Sequence, residues 1–140
     1  MSRPTAWIVD VDGTLALPTQ RNPYDWRRAS DDLPNIPVII TIQSLAMHPS
    51  VDSILAISGR EENARTITEQ WLSRFGIPCE ELFMRTNGDY RPDEIIKEEI
   101  YANQMRNRYS VAAVIDDRDR VVRMWRRNGL VCFQVADGNF

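Results

Sequence analysis

Asp10 and Asp12, two carboxylates one residue apart in Asp10-Val11-Asp12-Gly13-Thr14-Leu15, are the side chains best placed to do chemistry. They follow the apolar run Ala6-Trp7-Ile8-Val9, which predicts a buried strand over about residues 6–11. Period-2 geometry sends both carboxylates to one side of that strand, where two anions need a cation between them. Gly13 and Thr14 then bend the chain away. The layout suits Mg²⁺-assisted attack by one carboxylate on phosphorus, with the second carboxylate handling a proton.

Three further groups belong to the same chemistry. Asp116-Asp117 closes a second apolar run at 110–115, and four aspartates on one rim need a hard, oxygen-loving cation such as Mg²⁺. A lone aspartate at a strand end is an ordinary turn residue; the paired arrangement is not. Lys97 is the only lysine among the 17 basic residues, and Asp93 lies one helical turn before it on the same face. As an exposed pair these two would add a few tenths of a kcal/mol; beside a phosphate, the ammonium supplies a compact point charge that arginine does not. Ser58-Gly59-Arg60 offers a hydroxyl, an unhindered backbone and a guanidinium at the expected mouth of a helix, where backbone N–H groups favour an anion. The same three residues also read as an N-cap serine followed by a solvated arginine.

Alternating elements must position these groups. Strands are expected at about 6–11, 51–57, 81–84, 110–115 and 131–135. Helices are expected at about 35–48, 61–75, 92–108 and 118–128, with Ile36, Ile39, Ile40, Ile42 and Leu45 crowding one side of the first. Gly76 reads as a C′ glycine and Pro92 as an N1 proline. Continuous apolar strands alternating with helices predict an α/β fold with a covered, mainly parallel sheet of five strands. Ligands bind beyond the carboxyl ends of such strands, which is where Asp10, Asp12, Ser58, Arg60, Asp116 and Asp117 fall. The polar stretch 15–34 is too long for a simple connection and is expected to form a flap.

The 140 residues fit a single domain, 1–140, with 43% hydrophobic and 26% charged residues. A net charge of −3 argues against a protein that coats nucleic acid nonspecifically. No apolar stretch approaches a membrane span, and Cys79 and Cys132 are too few for a disulfide framework, so no membrane and a reducing cytoplasm are expected. The basic residues are almost all arginine, which suits bidentate phosphate recognition but also follows from a GC-rich genome. His48 needs no role beyond a polar helix end.

Together, D-x-D-G-T, a strand-end serine, a helix lysine and a terminal Asp-Asp resemble the signature of haloacid dehalogenase (HAD) phosphatases. The segments Arg21-Asn22-Pro23-Tyr24-Asp25-Trp26, Ile57 to Glu61, Arg91 to Ile100, Ile115 to Arg118, and Met124 through Ala136 resemble, in order, the phosphatase domain of phage-type polynucleotide kinase–phosphatase. The resemblance covers roughly residues 6–140 and implies a HAD-like Rossmannoid fold without a large cap domain. It implies Asp10 as a nucleophile forming an aspartyl-phosphate, and Asp12 as the acid and base. Mg²⁺ would be held by the Asp10 carboxylate, the Asp12 carbonyl and Asp116, with Asp117 directly or through water. Ser58, Gly59, Arg60 and Lys97 would bind the phosphate, Asp93 would orient Lys97, and Arg21 would reach in from the flap. No G-x-x-x-x-G-K-[ST] motif is present, so kinase activity does not carry over; the chain is a stand-alone phosphatase or a piece of a larger protein.

With only the flap over it, the site is expected to be open and to admit a polymer end. Tyr24, Trp26, Arg27 and Arg28 could stack a base and contact backbone phosphates, or simply anchor the flap. Trp125, at helical spacing from Val121 and Val122, reads as core. The expected activity is a Mg²⁺-dependent 3′-phosphatase acting on DNA or RNA ends, with nucleoside 3′-monophosphates as further substrates and a separate kinase or ligase as partner. The alternatives are a small-molecule phosphatase of nucleotides or sugar phosphates, a non-catalytic docking module, and phosphotransfer to an acceptor other than water.

Overall fold

Apolar runs at five places in the chain become the strands of one parallel sheet. The structure, a computed structural model, describes residues 2–18 and 21–140; Met1 and positions 19–20 of the expected flap lie outside the described residues. The elements are β1 (Thr5–Asp10), β2 (Ala16–Leu17), β3 (Leu33–Pro34), α1 (Ile36–Ala46), β4 (Ser53–Glu61), α2 (Arg65–Arg74), β5 (Glu81–Arg85), α3 (Asp93–Ile100), β6 (Ser110–Asp116), α4 (Asp119–Arg127) and β7 (Val131–Gln134). The sheet order is β5-β4-β1-β6-β7, and every pairing is parallel. The expected α/β architecture is therefore present, with a sheet that is parallel throughout. Between β1 and α1, the short antiparallel pair β2–β3 and a 3₁₀ helix (Trp26–Asp31) form the flap.

Strand alternation splits the core into two layers. Val9, Ala56 and Ile115 face α1 and α2 with Ile39, Ile42, Trp71 and Leu72. Ile8, Leu55, Ile57 and Val114 face α3 and α4 with Ile96, Ile100, Val122 and Trp125. Trp125 is fully buried, as its spacing predicts. In α1 the expected stripe is corrected: Val38, Ile39 and Ile42 are buried, while Ile36 and Ile40 are more than half exposed. At 100° per residue, positions 36 and 40 share a face turned away from positions 38, 39 and 42.

Two boundaries matter for the site. The second strand does not stop before Ser58-Gly59-Arg60 but runs through them to Glu61, followed by a 3₁₀ turn (Glu62–Ala64) and then α2. These three residues are thus strand residues rather than the mouth of a helix. The third helix ends at Ile100 and continues as a π turn (Tyr101–Met105). No helix among the described residues is long and apolar enough to cross a membrane.

Candidate active site

Asp10 and Asp116 are the last residues of adjacent parallel strands, β1 and β6, so their carboxylates leave the same sheet edge side by side. Lys97 reaches them from α3. Its Nζ lies 2.7 Å from Asp10 Oδ1, 3.3 Å from Asp93 Oδ2 and 3.4 Å from Asp116 Oδ2. Only 1% of the Lys97 side chain is exposed, which makes it one of the most deeply buried charges in the protein. Thr14 Oγ1 sits between two carboxylates, 3.1 Å from Asp10 Oδ2 and 3.2 Å from Asp117 Oδ1. Asp116 is fixed from two further directions: the Asp117 backbone N–H donates to Oδ1 at 2.8 Å, and the Trp125 indole N–H donates to Oδ2 at 3.1 Å.

The close approach depends on two glycines. A Cβ on Gly13, whose φ is +84°, would stand 2.2 Å from Asp117 Oδ2, and one on Gly59 would stand 2.3 Å from Asp93 Oδ1. The packing has clear electrostatic consequences. Burial and then the Asp116 charge push the Asp10 carboxyl well above its usual range, against the pull of Lys97. Burial opposes the Lys97 ammonium, but Asp10, Asp116 and Asp93 overrule it and hold the group well above its ordinary value. Burial also works against ionised Asp93, yet Lys97 and Arg118 bring its carboxyl below the usual range. Asp117 is raised by burial, with hydrogen bonding offsetting only part.

Asp12 belongs to a different charge set. The expectation that both carboxylates share one side of β1 is corrected, because the strand ends at Asp10. Beyond it the chain coils into a turn in which the Leu15 and Ala16 N–H groups both donate to the Val11 carbonyl at 2.9 Å. Period-2 alternation therefore no longer governs Asp12. Its carboxylate receives Arg60 Nε at 2.9 Å, Arg60 Nη2 at 2.7 Å and Arg21 Nη2 at 3.3 Å. Behind these guanidinium groups lies Asp32, with a fully buried side chain, bonded by Arg21 Nε at 2.8 Å and Arg60 Nη2 at 3.1 Å. Arg60 Nη1 donates to Thr68 Oγ1 at 2.8 Å, and Arg21 Nη1 donates to the Pro23 carbonyl at 3.0 Å. Both arginines thus hydrogen-bond Asp12 and Asp32. Ser58 Oγ accepts the Arg60 backbone N–H at 3.1 Å.

The model of the polynucleotide kinase PNKP phosphatase domain matches residues 4–140. The chain belongs to this family. A relative from Autographa californica nuclear polyhedrosis virus, named "Putative bifunctional polynucleotide kinase/RNA ligase", is 39% identical over 126 residues, 88% of this chain and 18% of the relative. Chains in two solved structures superpose with a TM-score of 0.94 over 99% of this chain. One is from the Pnkp1/Rnl/Hen1 complex, 41% identical with 48% of its length covered; the other is from the Pnkp1/Rnl/Hen1 RNA repair complex, 40% identical with 44% covered. This chain spans less than half the length of these relatives. The protein is a HAD-type phosphatase of the PNKP family.

In this PNKP-family phosphatase the carboxylate cluster fits a metal ion. Asp10, Asp116 and Asp117 each place one oxygen within 4.8 Å of the others. Three carboxylates face one ammonium there, an excess of negative charge that a divalent cation matches, and the all-oxygen donor set suits a hard ion. The side chain of Asp12 is not part of this group.

Several members of the site carried no signal in the sequence. Asp32 sits in the flap, 28 positions from Arg60, in an unremarkable polar run. Thr68 and Trp71 on α2 read as an ordinary helix face, yet Thr68 holds Arg60 and the Trp71 indole N–H donates to the Asp32 carbonyl at 3.0 Å. Trp125 reads as core and is core, but its one polar atom is aimed at Asp116. The helical spacing that marks the tryptophan as buried also raises the question of its N–H partner, since buried indoles almost always find one.

Proposed function

We propose that this phosphatase removes 3′-phosphates from nucleic-acid ends during RNA repair, working as one unit over residues 1–140 with Mg²⁺ and an Asp10 aspartyl-phosphate. The observation that carries the reading is the buried Lys97 ammonium 2.7 Å from Asp10 Oδ1, with Asp116 and Asp117 alongside. A carboxylate oxygen of Asp10 attacks phosphorus, an O–P bond forms, and the P–O3′ bond breaks with its electrons leaving on O3′. Asp12 delivers a proton to that oxygen. In the second half Asp12 takes a proton from water, whose oxygen attacks phosphorus and displaces the Asp10 carboxylate. Held by the Asp10, Asp116 and Asp117 carboxylates and the Asp12 carbonyl, Mg²⁺ would supply charge stabilisation to the phosphoryl oxygens.

The remaining residues divide into two groups. Lys97 neutralises the cluster so that an incoming phosphate dianion does not meet unrelieved negative charge, and Asp93 holds it in line. The Ser58 hydroxyl, which accepts from Arg60, keeps its own proton for a phosphate oxygen. Arg60 and Arg21 orient Asp12 toward the leaving oxygen; their fork geometry fixes both carboxylate oxygens, which a lysine would not do. The kinase and ligase named for the relatives suggest those activities as partners, in a cytoplasm that keeps Cys79 and Cys132 as free thiols.

Turnover on a 3′-phosphorylated RNA and DNA oligonucleotide, a 5′-phosphorylated oligonucleotide, free mononucleotides and sugar phosphates, with Mg²⁺ or EDTA, tests this reading. Hydrolysis concentrated on 3′-phosphorylated ends and lost in EDTA is expected. A preference for sugar phosphates would establish the small-molecule reading instead. Trp125→Phe tests the metal assignment. It keeps an aromatic ring against Tyr101 (centroids 5.9 Å apart) and removes the donor to Asp116 together with part of a buried ring, whose loss lowers stability with or without Mg²⁺. The Mg²⁺ concentration for half-maximal activity should rise about tenfold, with a matching loss of Mg²⁺-induced thermal stabilisation. Unchanged Mg²⁺ dependence in both measurements would separate Trp125 from the metal.

A further inference from the structure

The turn between β5 and α3 presents an aromatic ring that the phosphoryl chemistry leaves unused. Tyr90 is 82% exposed, yet the backbone on either side of it is clamped. Arg85 Nη1 donates to the carbonyls of both flanking residues, Asp89 at 2.8 Å and Arg91 at 2.5 Å. The same guanidinium donates through Nε to the Gly59 carbonyl at 2.8 Å and lies 3.5 Å from Asp93 Oδ1. Earlier in the turn, Asn87 Oδ1 accepts the Asn63 N–H at 2.9 Å, and the Gly88 N–H donates to Glu61 at 3.3 Å. Polar contacts therefore hold the turn, while the large apolar face at its tip is left to water.

Position makes that face useful. Tyr90 and Asp93 are three positions apart, so their Cα atoms lie within about 11 Å of each other. Asp93 in turn touches Lys97 at 3.3 Å. The exposed ring is therefore carried by a turn whose Cα span to Asp93, the residue that holds Lys97, is short enough for the nucleoside bearing the phosphate to bridge. A nucleobase is the occupant this chemistry fits. Every base has a π-face, so stacking tolerates any sequence, which an end-processing enzyme requires. A tyrosine on a preorganised turn also loses little conformational freedom on contact.

We propose that Tyr90 is a stacking platform for the base next to the scissile 3′-phosphate and selects polynucleotide ends over small phosphate esters. The proposal rests on the 3′-phosphatase reading above. The test compares three substrates: a 3′-phosphorylated oligonucleotide, the same oligomer with abasic sugars at its last two positions, and p-nitrophenyl phosphate. Tyr90→Ala should lower kcat/KM on the intact oligonucleotide about tenfold, mainly through KM. The loss should be confined to the substrate that carries terminal bases, and Tyr90→Trp should restore it. Equal losses on all three substrates, no loss on the intact oligonucleotide, or a loss seen only for Tyr24→Ala in the flap would overturn the proposal. Wild-type enzyme that hydrolyses p-nitrophenyl phosphate but neither oligonucleotide would overturn the 3′-phosphatase reading itself, a failure distinguishable because it needs no variant.

Discussion

Asp10→Asn should abolish phosphate release, by at least about four orders of magnitude, while leaving the protein folded. The amide has nearly the shape of the carboxylate, and its oxygen can still accept the Lys97 hydrogen bond that Asp10 Oδ1 accepts at 2.7 Å. What disappears is the anionic oxygen to which the proposed mechanism assigns the attack on phosphorus. Stability is affected by two opposing changes. Lys97 loses one ionic partner, but Asp116 and Asp117 lose a neighbour whose burial and charge are unfavourable, as the raised Asp10 carboxyl shows. The melting temperature should therefore stay close to wild type, and single-turnover release of labelled phosphate, with circular dichroism as the control, gives the answer. A folded variant that keeps turnover within about tenfold of wild type would falsify the nucleophile assignment.

How far the chain could be read without coordinates follows from the range of each interaction. Strand cores and their order along the chain are local apolar signals, and Asp10, Ser58, Asp116 and Lys97 are recognisable because their types are anomalous where they stand. The site fails to be local at two points. Asp12 was expected to follow the alternation of β1, but the strand ends one step too early, and the turn hydrogen bonds to the Val11 carbonyl re-aim it toward Arg60. Arg60 hydrogen-bonds Asp12, Asp32 and Thr68, partners at sequence separations from 8 to 48. No pattern in a single sequence reports such separations. The surplus of arginine acquires a structural sense here, since two of the sixteen build the frame around Asp12 from planar donors.

Lys97→Met should be the most destabilising single change in the site and should make the protein depend on divalent metal for its stability. Methionine matches the length of the aliphatic stem but leaves Asp10, Asp93 and Asp116 without the ammonium they share at 2.7, 3.3 and 3.4 Å. Removing one partner of a buried charge set costs about 3–5 kcal/mol, which for a domain of this size lowers the melting temperature by about 10 °C or more. Activity should fall about a hundredfold or further, because the charge proposed to face the phosphate is lost. The pH dependence has a definite sign in EDTA. A carboxyl with a raised folded-state value binds more protons folded than unfolded, so its presence costs stability as pH rises from about 4. With Lys97 gone, Asp10 and Asp117 lose a charge that holds them down and move further in that direction, so the deficit should be greatest near neutrality and shrink as pH falls. Adding Mg²⁺ at neutral pH should raise the melting temperature of the variant more than that of wild type, since the ion meets carboxylates that no longer have a lysine to neutralise them. Were Mg²⁺ to stabilise the variant no more than wild type, Asp10, Asp116 and Asp117 could not be the metal site, and the ion would have to act elsewhere.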